Sequence, residues 1–245
     1  VRAVLYLAAL IAGTIWYGTV VIVAALFRVR HGPDSAYEHA ARSWSRLLLG
    51  AAGVKVMCMG AEHVSRTDAQ IIVANHQSWF DILAIFLVVP VEVRFVAKKE
   101  LFAIPFFGTV LRALEHVKLD RTNLKQAITA YEVAARYIKE RRLSVLVFPE
   151  GTRSRSGQLQ PFKAGPFVLA LEAGAPVVPA YVAGTFGILP KGSIRVRPHP
   201  VEVRFGEAIP TTGLTVEDRE GLRDRARGAV AQLRAASVDA SRDAS

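Results

Sequence analysis

Cysteine is almost absent from this chain of 245 residues. Cys58 stands alone, so no intramolecular disulfide can form and no second thiol is present to build a zinc cluster. Nothing in the sequence asks for an oxidising compartment. Acidic residues are also in deficit, 21 against 31 Lys and Arg, which gives a net charge of +10. That balance points to nucleic acid or to a surface carrying anionic lipid and phosphate. No stretch is repetitive enough for a solenoid, a collagen or a coiled-coil array. With 51% hydrophobic residues the chain is not intrinsically disordered, and its length suits one folded domain plus a short extra element.

Charge is missing altogether from Ala3 to Phe27, a run of 25 residues. As a helix it extends roughly 38 Å, enough for a hydrocarbon core of about 30 Å. A soluble nucleic-acid binder has no use for such a segment, so no nucleic acid is expected as a partner. The run is too long for the hydrophobic region of a signal peptide, and Arg28, Arg30 and His31 follow where small residues would mark a cleavage site. It reads as a retained anchor, either spanning the bilayer or lying in one leaflet. Arg28, Arg30, Arg42 and Arg46 outweigh Arg2, which places the rest of the chain on the cytoplasmic face of the cell membrane. Val1 stands in place of methionine, which means either an alternative start codon or a truncated end.

From Ser35 to Ala52 the residues Tyr37, Ala40, Ala41, Trp44, Leu47, Leu48 and Ala51 recur at helical steps. Glu38, Arg42 and Arg46 occupy the other side, so this is an amphipathic helix for a membrane interface or for the following domain. Beyond it, short apolar runs alternate with helical patterns. Strands are expected near Val54–Cys58, Ile71–Ala74, Val93–Ala97, His116–Leu119, Ser144–Phe148 and Val177–Val182, with an edge strand at Val201–Phe205. The fold class is therefore α/β, a mixed and largely parallel sheet covered by helices, preceded by an N-terminal membrane-associated helical segment. Capping boxes at Asn123/Gln126 and Thr215/Asp218 open helices to about Arg141 and Leu233. The domain plan is an anchor and amphipathic helix over 1–52, a folded domain over 53–235 and a disordered tail over 236–245.

In open α/β sheets, ligands gather where strands end. The run Ile71–Ala74 leads into Asn75-His76-Gln77-Ser78-Trp79-Phe80-Asp81, and Val145–Phe148 leads into Pro149-Glu150-Gly151-Thr152-Arg153-Ser154. These are read as two halves of one site. A His and an Asp five apart would not meet within a regular helix, and His63 with Asp68 shows the same spacing in a polar connection. With Ser78 as N-cap and Asp81 at the third helical position, however, the turn folds His76 back towards the carboxylate. Such a pair makes a general base: the carboxylate fixes the tautomer while the other ring nitrogen takes a hydroxyl proton. In the second loop, Arg153 offers a planar fork for phosphate, Gly151 a close backbone approach and Thr152 a hydroxyl. Glu150 is expected to orient Arg153 or to bond a substrate hydroxyl. Lys98, Lys99, Arg155 and Lys163 add positive charge.

Four blocks in order, NHQSWFD, AKKELFAIPFFG, FPEGTRSRSGQLQPFKAG and VVPAYVAG, resemble the motif blocks of the glycerolipid acyltransferase family, and look more like its lysophosphatidate type than its glycerol-3-phosphate type. The resemblance covers about Val54 to Phe205 and makes residues 53–235 the catalytic domain. It implies transfer of a fatty acyl group from an acyl thioester to the sn-2 hydroxyl of lysophosphatidic acid, with acyl-coenzyme A or acyl carrier protein as co-substrate, no tightly bound cofactor and no metal. It carries over His76 as base in the HxxxxD motif with Asp81 as its orienting partner, and Glu150, Gly151, Thr152 and Arg153 as phosphate and glycerol contacts. Lys98, Phe102, Pro105 and Gly108 fall in a block implicated in acceptor binding, and Pro179 in a fourth, less defined one. Competing readings are an acyltransferase for another lysolipid acceptor, a hydrolase with Ser78 as nucleophile and an inactive phospholipid-binding membrane protein. Ser78 lies outside any Gly-x-Ser-x-Gly elbow, and the binding-only reading gives His76 no task.

Overall fold

Parity along the strands decides the layers. In the computed structural model, which describes residues 2–119 and 124–243 (for 2, 124–130 and 238–243 the backbone only), even-numbered Ile72, Ala74, Leu146, Val178, Ala180 and Val182 bury into one core. Odd-numbered Ile71, Val73, Val145, Val147 and Val177 bury into another. Both faces of a parallel sheet are covered, so its strands read as unbroken apolar runs.

In chain order the elements are α1 (Arg2–Leu26), α2 (Ala36–Ala51), β1 (Val56–Met59), β2 (Gln70–Ala74), α3 (Phe80–Val88), β3 (Val93–Lys98), α4 (Phe107–Ala113), β4 (Val117–Leu119), α5 (Leu124–Arg141), β5 (Ser144–Val147), α6 (Gly165–Ala173), β6 (Val177–Ala183), α7 (Thr185–Ile188), β7 (Val201–Phe205) and α8 (Arg219–Asp243). The sheet order is β1-β7-β6-β2-β5-β3-β4. Every neighbouring pair is parallel except β6 with β7. The expected α/β architecture is what forms.

One strand is misplaced by the sequence reading. β7 is not at the edge but between β1 and β6, with Val201, Val203 and Phe205 buried. Alternation in VEVRF shows that one face is buried but says nothing about neighbours. The edge is β1, whose Met57 and Met59 are exposed. The expected capping box, Thr215 with Asp218, caps a short 3-10 turn that leads directly into the C-terminal helix α8. It runs to Asp243, past Leu233, and takes in much of the segment 236–245 expected to be disordered, an Ala-rich stretch without Gly or Pro. The Asn123/Gln126 box lies outside the described residues.

Ser35 caps α2 by accepting a hydrogen bond from Glu38 N. α1 packs on α2 and α4, and Trp44 Nε1 donates to Thr14 Oγ1 across the hairpin at 3.1 Å. Its other flank is bare: Leu5, Ile11, Ile15, Trp16, Val23 and Leu26 are all exposed. α1 is long and apolar enough to cross a membrane.

Candidate active site

Register brings the two polar loops together. β2 and β5 pair in parallel with Ile72 opposite Leu146, so continuing both strands by four residues sets His76 beside Glu150. The backbone confirms it: Ser154 N donates to His76 O at 2.7 Å, and His76 N donates to Glu150 Oε1 at 3.2 Å. His76 and Phe148 share the parity of the α3 face, and their rings stack with centroids 4.0 Å apart. On the other side, Asn75 clamps β6, donating to Val182 O and accepting from Val182 N.

The carboxylate of Asp81 is fully buried and anchors the turn. Its Oδ2 accepts from His76 Nδ1 at 2.7 Å, Gln77 N at 2.6 Å and Ser78 N at 2.8 Å. Its Oδ1 accepts from the hydroxyl of Thr185. An oxygen that takes two backbone N–H groups is an acceptor, so the imidazole carries its proton on Nδ1 and presents Nε2 as a lone pair. Nε2 has no hydrogen-bond partner among the described residues. The cap differs from expectation by one residue: α3 begins at Phe80, and Asp81 is its second residue, reaching back over the turn. The N-terminus of α3 favours that negative charge. Ser78 Oγ donates to Leu189 O at 2.8 Å and accepts from Phe80 N, so it faces away from the imidazole. The pair with the same spacing, His63 and Asp68, makes no bond; Asp68 accepts instead from Ser65 and Thr67.

Of the two roles expected for Glu150, the pairing with Arg153 does not form. Glu150 is buried, and its carboxylate accepts from His76 N and from Gln160 Nε2 at 2.8 Å. Burial pushes its pKa up to about 7 against the pull of those hydrogen bonds, and the charge of Asp81 adds to the rise. Arg153 instead lies over the Trp79 ring, 5.2 Å from its centroid. Its guanidinium carries no ion pair among the described residues. Gly151 adopts a φ of +74°, and a Cβ there would sit 3.1 Å from Lys163 Nζ, so this glycine admits the lysine against the backbone. Thr152 Oγ1 accepts from Lys191 Nζ at 2.7 Å. Arg153, Lys163 and Lys191 thus surround a loop whose own carboxylate is turned inward.

Thr185 and Lys191 were not found by sequence reasoning. Thr185 follows directly on the fourth block, which was its only signal, and lies 104 residues from Asp81.

The second block is placed differently. Lys98 is exposed at the C-terminal end of β3. Phe102 is buried against Ala97 and Leu111, Pro105 is exposed in the turn before α4, and a Cβ on Gly108 would be 2.2 Å from Phe102 O. None of these four hydrogen-bonds to the His76 group. Pro179 lies within β6 opposite Val73, inside the sheet.

Beside Trp79 an apolar cavity of about 470 Å³ extends between α1, α2, α3 and α4. Tyr6, Leu10, Trp44, Ile82, Phe86 and Val110 are among its walls. His116 also lines it, accepting from Phe95 N; burial and the Arg94 charge push its pKa down to about 3, so it is neutral.

A family profile described as Acyltransferase matches residues 55–183. The chain is 37% identical over 171 residues to a 1-acyl-sn-glycerol-3-phosphate acyltransferase of Limnanthes douglasii, covering 70% of this chain and 60% of that protein. It is 33% identical over 175 residues to the human 1-acyl-sn-glycerol-3-phosphate acyltransferase alpha, covering 71% and 62%. With the enzyme of that name from Salmonella typhimurium it shares 37% over 133 residues, 54% of each chain. The chain therefore spans less than two thirds of the length of each of these relatives. Among solved structures, the 1-acyl-sn-glycerophosphate (LPA) acyltransferase PlsC from Thermotoga maritima superposes with a TM-score of 0.74 at 28% identity, covering 96% of this chain and 98% of that one.

Proposed function

The chain belongs to the acyltransferase family, and on that premise we propose that it transfers a fatty acyl group from an acyl thioester to the sn-2 hydroxyl of lysophosphatidic acid, yielding phosphatidic acid and a free thiol. The observation that carries this reading is His76, fixed through Nδ1 by a buried carboxylate at 2.7 Å with Nε2 unpartnered, beside an arginine loop whose glutamate is tied elsewhere. Nε2 removes the proton of the acceptor hydroxyl as its oxygen attacks the thioester carbonyl. The tetrahedral intermediate then expels sulfur, which takes the proton back from the imidazolium. A thiol of pKa about 8.5 leaves with little acid assistance, whereas an alcohol needs a base to attack. No acyl-enzyme is required.

Arg153, with Lys163 and Lys191 beside it, holds the acceptor phosphate, and Gly151 and Thr152 shape the loop around it. Glu150 acts on His76 through the backbone instead of on the phosphate. Lys98 adds positive charge at the adjacent strand end, while Phe102, Pro105 and Gly108 set the turn that positions α4. α1 docks the protein on the cytoplasmic face of the membrane, where a lysolipid keeps its own tail in the bilayer. The apolar cavity is then left for the chain that arrives from water on the donor, acyl-coenzyme A or acyl carrier protein. Residues 1–52 serve as the docking element and 53–235 as the catalytic domain.

The test is an acceptor panel with both donors, read as product lipid by mass spectrometry and as acceptor-dependent thiol release. His76→Ala is expected to lower kcat by about 10²- to 10⁴-fold while lysophosphatidate still binds. Arg153→Ala is expected chiefly to raise the acceptor KM. Wild-type protein in detergent that releases no thiol in response to any acceptor would sink the proposal in favour of lipid binding alone.

A further inference from the structure

We propose that a second site, for the headgroup of an anionic phospholipid, lies at the opposite end of the sheet from His76. A cleft of about 930 Å³ opens between the α1–α2 connection and the N-terminal ends of β2, β3 and β5. His76 and Arg153, by contrast, follow the C-terminal ends of β2 and β5, so the two sites share no residue.

Seven arginines and three carboxylates line the cleft, and the carboxylates are already engaged. Glu92 holds His31 at 2.6 Å, Gly32 N at 2.9 Å and Arg94 at 3.1 Å. Glu115 holds Arg141 at 2.6 Å, Tyr137 at 3.0 Å and Arg94 at 3.3 Å. Asp68 is taken by Ser65 and Thr67. Arg28, Arg30, Arg66 and Arg142 make no side-chain hydrogen bond or ion pair among the described residues. Four guanidinium groups around one concavity, set against the single carboxylate of Asp68 that no cation pairs among the described residues, repel one another until a further anion enters, and the planar fork suits phosphate oxygens.

The wall beside these arginines identifies the source of the phosphate. Ala25, in the last turn of α1, lines the cleft, and between it and Arg28 the chain carries Leu26, 75% exposed, and Phe27, 80% exposed, just beyond the lining. A phosphate held by Arg28 and Arg30 leaves any attached acyl chains lying along Leu26 and Phe27. Neither a free phosphate nor a nucleic acid uses that apolar flank. The inference rests on α1 meeting a bilayer and is independent of His76 chemistry.

The experiment is vesicle flotation of the full chain, comparing phosphatidylcholine vesicles with and without phosphatidylglycerol. The cleft variant is Arg28→Gln/Arg30→Gln/Arg142→Gln, and the control is Arg136→Gln/Lys139→Gln/Arg225→Gln, which removes equal charge from exposed positions on α5 and α8. Each basic residue close to an anionic surface contributes roughly fivefold in partitioning, so the cleft variant is expected to lose on the order of 100-fold of the anionic increment. The control is expected to keep most of it, and both variants to keep wild-type binding to neutral vesicles and acyl transfer in micelles. Equal losses in cleft variant and control would overturn the site in favour of diffuse attraction. Displacement of wild type by inorganic phosphate, but not by chloride of equal ionic strength, would overturn the lipid assignment. Cleft-dependent binding of a duplex oligonucleotide would overturn it as well. Failure of wild type to bind neutral vesicles would remove the premise about α1, a result distinct from loss of acyl transfer.

Discussion

Glu150→Gln tests whether the carboxyl behind His76 is held against its own ionisation. Glu150 is 4% exposed, and its pKa rises from 4.5 to about 7, with burial the largest cause. In the unfolded chain it ionises near its ordinary value. Between those two values the folded state therefore binds more protons, so stability falls as pH rises through the window and the deficit is complete above about pH 7. A rise of two to three pH units corresponds to ~3 kcal/mol. Glutamine keeps the carbonyl that accepts from His76 N, and a rotated Gln160 amide can receive its new N–H groups. The variant has no charge to desolvate, so its stability relative to wild type is expected to climb by up to ~3 kcal/mol between pH 5 and 8. For a protein of this size that is about 6–12 °C in Tm. Unfolding of both proteins in the same detergent across that range reads the difference directly. Parallel profiles, or a wild type that gains on the variant with rising pH, would refute the reasoning.

Two further substitutions probe the frame of the site. Thr185→Val keeps the shape but leaves Asp81 Oδ1 without its hydroxyl donor, at an expected cost of ~1–3 kcal/mol in unfolding free energy. Because Thr185 acts through Asp81, kcat should fall with the acceptor KM unchanged, and Thr185→Ser should restore both rate and stability. Gly108→Ala drives a methyl to 2.2 Å from Phe102 O, so α4 must shift; a loss of about 1–3 kcal/mol is expected by denaturant unfolding. Since Val110 and Leu111 of α4 wall the apolar cavity, the same variant should also change the preferred acyl length when products are read by mass.

Much of the site was legible because its members are local. His76 and Asp81 lie five residues apart, and a strand ending directly in polar text is enough to predict that a turn, not a regular helix, joins them. Glu150 to Arg153 were legible for the same reason. Their meeting with His76 was readable only as a rule about strand ends; the β2–β5 register made it a distance. Adjacency to Arg153 suggests a pair with Glu150 as one of two roles, and that pair does not form because burial turns the carboxylate inward to His76 N and Gln160.

The sequence by itself determined the elements, since periods of two and 3.6 and caps such as Ser35 and Thr215 act over a few residues. It also determined the uncharged length of α1 and the chemical vocabulary of both loops. Tertiary structure alone decided that β7 lies inside the sheet, that Thr185 crosses 104 residues to complete the shell of Asp81, and that Lys191 reaches Thr152. It also decided that arginines scattered from position 28 to position 142 line one cleft. Such contacts depend on chain crossings and on which neighbour a strand accepts, and no local pattern in the sequence records either.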